Sequence, residues 1–248
     1  MTETSLALIA DIHGNAWALD AVLADIDRRG VRQIINLGDC AYGSLDPAGT
    51  LERLMDRAIP TVSGNQDRIV HAPPPAVVGS ADQDFITARL GPDQVAWLRD
   101  LPQTLVVGDL FCCHGTPALD TTCLLEDVTP QSVRLRGDAD LAALLAGVTQ
   151  PVIACGHSHQ PRVVALADGR LVVNPGSVGV PAYTDDQPHP HAMEAGSPHA
   201  RYAILREAGG GWSVKLVAVP YDWDVAADEA RRNGRPDRAA WIATGRAG

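Results

Sequence analysis

Through the first two-thirds of the chain, short apolar runs alternate with amphipathic stretches, the pattern of stacked strand–helix units. Residues 6–10 (LALIA) predict a strand. A helix is expected over 16–29, where Leu19, Val22, Leu23 and Ile26 recur at helical spacing and Gly30 ends the run. Residues 33–37 (QIINL) predict a second strand. Asp46-Pro47 then opens a helix to about residue 58, the aspartate as cap and the proline in the first turn, and 59–62 reads as a short third strand. His71-Ala72-Pro73-Pro74-Pro75 is a stiff loop, followed by helices around 82–90 and 92–101. Hairpins are expected at 104–113, turning at Gly108-Asp109, and at 163–173, turning at Asp168-Gly169. Between them lie a helix over 139–146 and a buried strand at 152–155. A final strand pair (200–205 and 214–219) precedes helices near 225–232 and 237–242.

Residues 181–199 (PAYTDDQPHPHAMEAGSPH) are polar, proline-rich and aperiodic, which predicts a surface excursion or a disordered loop. With no internal repeat and no low-complexity tract, the expectation is one domain over 1–248, with C-terminal helices from about 222. At 46% hydrophobic and 20% charged residues, 248 positions can bury a sizeable core, which excludes disordered and fibrous classes. Twenty Lys+Arg against thirty Asp+Glu give a formal charge of −10, unfavourable for gripping long nucleic acid. A small phosphate ester is not opposed, because bound metal ions supply their own positive charge. No apolar run reaches the roughly 18 residues of a membrane span. The opening Met1-Thr2-Glu3-Thr4-Ser5 lacks the basic and apolar parts of an export signal. Five cysteines, an odd number without CxxC spacing, fit a reducing cytoplasm.

Five strand ends release a metal-capable residue. They are Asp11-Ile12-His13-Gly14-Asn15, Gly38-Asp39, Gly64-Asn65, His114-Gly115 and Gly156-His157-Ser158-His159. In open α/β sheets, sites form beyond the carboxyl ends of strands, so these fragments can converge. Asp11 and His13 read as alternating along an extended segment, both facing one way, and His157 and His159 likewise. Imidazole, carboxylate and amide donors without thiolate suit a borderline-hard divalent ion such as Mn, Fe, Co, Ni or Zn. Seven donors (Asp11, His13, Asp39, Asn65, His114, His157 and His159) exceed what one ion with an open position needs. If one carboxylate bridges two ions, the seven make eight bonds, four to each, and a pair about 3.5–4 Å apart suits in-line attack on phosphorus.

The series D-x-H-G-N, G-D, G-N-x-D, H-G, G-H-x-H, in this order, resembles the calcineurin-like metallophosphoesterase superfamily. Asn174-Pro175-Gly176-Ser177-Val178-Gly179 and Pro220-Tyr221-Asp222 are similar to small bacterial members, phosphodiesterases or relatives of diadenosine tetraphosphate hydrolases. The resemblance implies an α/β fold (α+β by some schemes) of two packed mixed β-sheets flanked by helices, four layers in all. It also implies a dinuclear centre. Asp11, His13 and His159 would hold the first ion, Asn65, His114 and His157 the second, with Asp39 bridging and manganese the expected metal. The implied activity is hydrolysis of small, nucleotide-like phosphodiesters by metal-activated hydroxide. The alternatives are a phosphomonoesterase or protein phosphatase, a dinucleoside polyphosphate hydrolase, or a non-catalytic metal- or nucleotide-binding module. Asp39, Asn65, Gln66 and His114 are the implied catalytic group.

Many family members carry histidine at the position of Gln66. Glutamine can donate a hydrogen bond to a phosphoryl oxygen but cannot release a proton near neutrality, so the leaving oxygen is expected to be assisted by water or another histidine. His191 and His199 in the polar excursion are candidates. Asn15, Tyr42, Gln66 and Arg68 are candidate substrate contacts. Asn15 and Asp67 read as caps or as groups orienting a ligand, and Arg68 also as a surface ion pair. Asn174–Ser177 reads either as an anion cradle or as a rigid turn beneath the ligand loop.

Overall fold

The computed structural model describes residues 5–248. The chain begins β1 (Ser5–Ile9), α1 (Ala16–Arg28), β2 (Gln33–Asn36), α2 (Pro47–Asp56), α3 (Asn65–His71), α4 (Ala81–Thr87) and α5 (Pro92–Arg99). It continues with β3 (Thr104–Val107), β4 (Leu110–Cys113), β5 (Glu126–Val128), β6 (Val133–Leu135), α6 (Asp138–Leu144), β7 (Val152–Ala154), β8 (Arg162–Ala165) and β9 (Leu171–Asn174). It ends with β10 (Ala182–Asp185), β11 (His191–Glu194), β12 (Ala200–Ala208), β13 (Gly211–Val219), α7 (Trp223–Arg232) and α8 (Pro236–Thr244).

Two mixed sheets form the centre. One has the order β13-β12-β1-β2, with β1 parallel to β2 and antiparallel to β12. The other has the order β3-β4-β7-β9-β8, with β4, β7 and β9 parallel. The period-two alternation along each strand sorts residues between layers. Leu6, Leu8 and Ala10 face Leu110, Cys112 and Ala154 in the core between the sheets. Their neighbours Ala7 and Ile9 turn outward onto Leu19, Val22 and Ile26 of α1. On the far side, Ile153 and Val172 meet Leu141 and Leu145 at α6. The layers run helix, sheet, sheet, helix, the α/β arrangement implied by the resemblance. No helix among the described residues is long and apolar enough to cross a membrane.

Local signals account for most boundaries. Asn15 caps α1 by accepting from the Ala18 N–H, and Asp46 caps α2 at Gly49, with Pro47 opening the helix. The structure departs from expectation in four places. The third strand is only a bridge between Asn36 and Thr61, because Pro60 has no N–H to give a ladder. Residues 65–71 form α3, whose start is fixed by the Asp67 side chain reaching back to the Gly64 N–H. Residues 126–135 contribute the small hairpin β5–β6. Residues 181–199 are not aperiodic: β10 and β11 pair antiparallel, Tyr183 opposite Met193, with Pro188 and Pro190 in the connection.

Candidate metal centre

The candidate ligands leave the ends of β1, β2, β4 and β7, and Asn65 opens α3. The backbone there is not extended. Asp11, His13, Asp39, His157 and His159 all have positive φ, between 51° and 68°. The i, i+2 pairs therefore share a site through tight left-handed turns, and not through strand alternation, which corrects the extended reading. A non-glycine residue in this region costs about 1–3 kcal/mol, and such residues collect at functional sites.

A web of hydrogen bonds holds the turns. Ile12 and His13 N–H groups donate to the Asp39 carbonyl at 2.9 and 3.0 Å, and the Asp11 N–H to Gly38 at 3.0 Å. The buried Asp67 carboxylate accepts from the N–H groups of Asp39 (2.8 Å), Cys40 (2.8 Å) and Gly64 (2.9 Å), tying the second and third ligand loops together. Ser177 Oγ donates to the Asp11 carbonyl at 2.7 Å, and Asn174 holds Gly156 and Ser158, so Asn174–Ser177 is the rigid turn beneath the ligand loop. Gly64 is required by close approach: a Cβ there would meet Asp39 Oδ1 at 2.1 Å.

The side chains form two clusters, Asp11 with His13 and His159, and Asp39 with His114 and His157. Asp39 Oδ2 lies 3.4 Å from His114 Nε2 and 3.9 Å from His13 Nε2, within reach of both. Its Oδ1 is occupied by the Gln66 N–H at 2.9 Å. Asn65 Oδ1 stands 3.1 Å from His114 Nε2. Three imidazoles direct Nδ1 at backbone carbonyls: His13 at Tyr42 (3.1 Å), His114 at Leu37 (2.8 Å) and His159 at Val180 (2.6 Å). A carbonyl only accepts, so each Nδ1 carries a proton and each Nε2 points inward; in the neutral imidazoles of His13 and His159 that Nε2 carries a lone pair.

Consequently His13 Nε2 and His159 Nε2 face each other at 3.1 Å with no proton between them in the neutral tautomers. Burial pushes both imidazoles below their usual pKa, so a proton is a poor solution. A cation held by both nitrogens and the adjacent Asp11 removes the conflict, and the residues fit a metal on that chemistry. Burial likewise raises the Asp11 carboxyl to about 8 and lowers His157 to about 4. Burial opposes charge on Asp39 and His114 too, but their mutual attraction wins. It holds the carboxyl well below its usual range and lifts His114 to about 10. Metal binding displaces protons from such a set.

Two clefts reach the centre. One, of about 200 Å³, is lined by His13, His159, Tyr42 and Gln66 and by Arg238 and Trp241 of α8. The other, of about 520 Å³, runs past Glu126, Arg136 and His191. They share Asn65, His157, Tyr183 and Asp185.

All seven candidate ligands therefore converge, and Gln66 and Tyr42 line a cleft beside them. Asn15 and Arg68 do not join them. Asn15 is fully buried, capping α1 and donating to the Gly179 carbonyl (2.9 Å) and the Tyr221 hydroxyl (3.1 Å), where no substrate reaches it. Arg68 grips Asp120 through two bonds of 2.8 and 2.9 Å and borders a separate depression with His71. His199 lies against Trp223, whereas His191 borders the larger cleft. The sequence reading missed Tyr183, whose ring meets His159 at 4.7 Å, and the α8 wall. The five cysteines are buried free thiols.

A model of the calcineurin-like phosphoesterase superfamily domain matches residues 5–193. An uncharacterized protein of Methanocaldococcus jannaschii is 25% identical over 268 residues, covering 96% of each chain. Among solved structures, a metallophosphoesterase from Sphaerobacter thermophilus superposes with a TM-score of 0.75 at 24% identity, over 98% of this chain and 100% of that one. A hypothetical protein from Pyrococcus horikoshii gives 0.74 at 19% identity, over 98% and 99%. The family model stops before β12, so α7 and α8 lie outside it.

Proposed function

The chain belongs to the calcineurin-like phosphoesterase superfamily and carries two His/Asp metal-binding clusters, and from that premise we propose that it hydrolyses phosphodiesters of small molecules, nucleotide-like ones included. The observation that carries the diester reading is the pair of clefts meeting at Asn65, His157 and Tyr183. A diester has two substituents to house on either side of phosphorus; a monoester has one.

In this reading Asp11, His13 and His159 hold one divalent cation, Asn65, His114 and His157 the other, and Asp39 is shared. Manganese leads the candidates, with iron, cobalt, nickel and zinc compatible with the same donors. Two such ions, when bound, polarise the phosphoryl oxygens and lower the pKa of water. The protein's own groups do the rest. The backbone carbonyls of Tyr42, Leu37 and Val180 fix the imidazole tautomers. Gln66, at the cleft, donates its amide N–H to a phosphoryl oxygen as charge develops. No strong acid stands in its place, so the leaving oxygen draws its proton from water or from His191 in the larger cleft.

The test is a metal-reconstituted hydrolysis screen with cyclic nucleotides, dinucleoside polyphosphates, p-nitrophenyl phosphate and bis(p-nitrophenyl) phosphate. The diester should show the higher kcat/KM, and preference for the monoester would overturn the reading. Rates should depend steeply on leaving-group pKa; a flat dependence would mean that a strong acid is present after all.

A further inference from the structure

Arg238, Trp241 and Ile242 of α8, outside the superfamily domain model, line the smaller cleft together with the metal ligands His13 and His159. This helix is firmly seated. Ala226, Ala227 and Ala230 of α7 and Ala239 and Ile242 of α8 pack with Leu45, in the loop beyond Asp39. Asn233 donates to the Ser44 carbonyl at 3.0 Å. The cleft-lining side chains of α8 are therefore held in a fixed relation to the ligand loops.

Two guanidiniums line this cleft, and they are not equivalent. Arg235 is consumed by ion pairs with Asp82 and Asp237. Among the described residues, Arg238 makes one side-chain hydrogen bond, Nη2 to Asp82 at 3.0 Å, although guanidinium offers five N–H donors. Its side chain is only 15% exposed, and the residue lines the cleft. Arg238 pairs with none of the seven metal ligands, yet its charge is felt at the His13 ring and the Tyr42 phenol. Trp241, one turn further along α8, borders the same cleft. In a chain of net charge −10, an under-bonded, partly buried arginine beside an anion-processing centre calls for an anionic partner.

We propose that Arg238 binds a second, non-reacting anionic group of the substrate, so that this site takes phosphoesters or phosphoanhydrides carrying a further phosphate or carboxylate, with Tyr42 and Trp241 bordering the adjoining apolar or aromatic part. The inference rests on the phosphoesterase reading of the metal centre, but its test does not need turnover.

The experiment is calorimetric titration of the manganese-loaded protein with ADP and with AMP, which differ by one phosphate. The wild type should bind ADP more tightly. Arg238→Ala should weaken ADP by about ten- to a hundredfold, the range of a charge-assisted bond, while AMP changes by less than about threefold. Arg238→Lys keeps a charge opposite Asp82 and should recover part of the ADP affinity, which separates lost recognition from lost folding. Equal weakening of both nucleotides, unchanged ADP affinity, or a wild type that does not discriminate would each overturn the proposal. A protein that distinguishes ADP from AMP through Arg238 but hydrolyses nothing would sink the catalytic reading and leave this one standing.

Discussion

Replacing Asp39 by asparagine keeps the shape of the side chain and removes one negative charge from between the two clusters. The asparagine carbonyl can still accept the Gln66 N–H that Oδ1 receives at 2.9 Å, so the loop has no steric reason to move. The other atom becomes an NH2 group, placed where Oδ2 now stands 3.4 Å from His114 Nε2 and 3.9 Å from His13 Nε2. A ligand that donates cannot hold a cation. Losing even an outer-layer partner costs about 10- to 100-fold in metal affinity, and losing a shared ligand should cost at least the upper figure. At a free metal concentration 100 times the wild-type Kd, each occupied site stabilises the fold by about 2.7 kcal/mol; an affinity loss of about 100-fold leaves about 0.4 kcal/mol. For a chain of this size, 1 kcal/mol moves Tm by about 2–4 °C. The manganese-induced rise should therefore fall from about 5–10 °C to about 1–2 °C per affected site. Thermal melts with and without manganese, bound-metal analysis and diester hydrolysis check this together. A variant that holds two ions, shows the full rise and turns over like the wild type would remove Asp39 from the centre.

Four further outcomes follow from particular contacts. Gly64→Ala places a Cβ 2.1 Å from Asp39 Oδ1, and because a misplacement of about 1 Å costs about 100-fold in rate, hydrolysis should drop by that order while circular dichroism stays native. Tyr202→Phe removes a hydroxyl that donates to Asp25 at 2.7 Å; burial opposes that carboxylate's charge, but Arg29, Tyr202 and Arg28 hold its pKa below the usual value. A depressed carboxyl contributes stability above its unfolded pKa of about 3.9 and loses it as pH falls through the folded value. The deficit of this variant, about 1–2 kcal/mol, should thus be full at neutral pH and close during acid titration followed by urea melts; a deficit that grows on acidification would contradict the sign. Asn15→Ala should lower stability by more than the roughly 1 kcal/mol of an N-cap, because the buried Gly179 carbonyl and Tyr221 hydroxyl also lose their donor, and Arg68→Ala should leave diester kcat/KM near wild type, both read by melts and steady-state rates.

Much of the centre was legible because apolar runs of four or five residues end abruptly in Asp, His, Asn and Gly, and a buried strand has no other use for such residues at its end. The layers were legible for the same reason: Leu6 and Leu8 point one way, Ala7 and Ile9 the other. The backbone at the ligands was not legible. Asp-Ile-His reads as extended, and only the tertiary web around Asp67 and Ser177 drives these residues to positive φ. β10–β11 was hidden because each strand has four residues and the prolines between them dominate the local pattern. Tyr183 and Arg238 carry no local signal at all. Each becomes a cleft residue only when a hairpin and a terminal helix dock beside loops far away in sequence.

The left-handed ligand residues also bear on what metal binding requires of the fold. Five of them, at a cost of about 1 kcal/mol or more each, approach the net stability of a whole domain, about 5–15 kcal/mol. Such strain persists only where surrounding bonds over-determine it. Here they do: three N–H groups on Asp67, the Ser177 hydroxyl on the Asp11 carbonyl, and the Nδ1–carbonyl bonds of three imidazoles all engage groups other than the inward-facing donors. The web leaves the inward-facing donors free, with the Nε2 lone pairs of His13 and His159 only 3.1 Å apart. Repulsion between those two lone pairs is what a bound cation would relieve, so metal affinity at this site draws on order already built into the protein and not on ordering that occurs at binding.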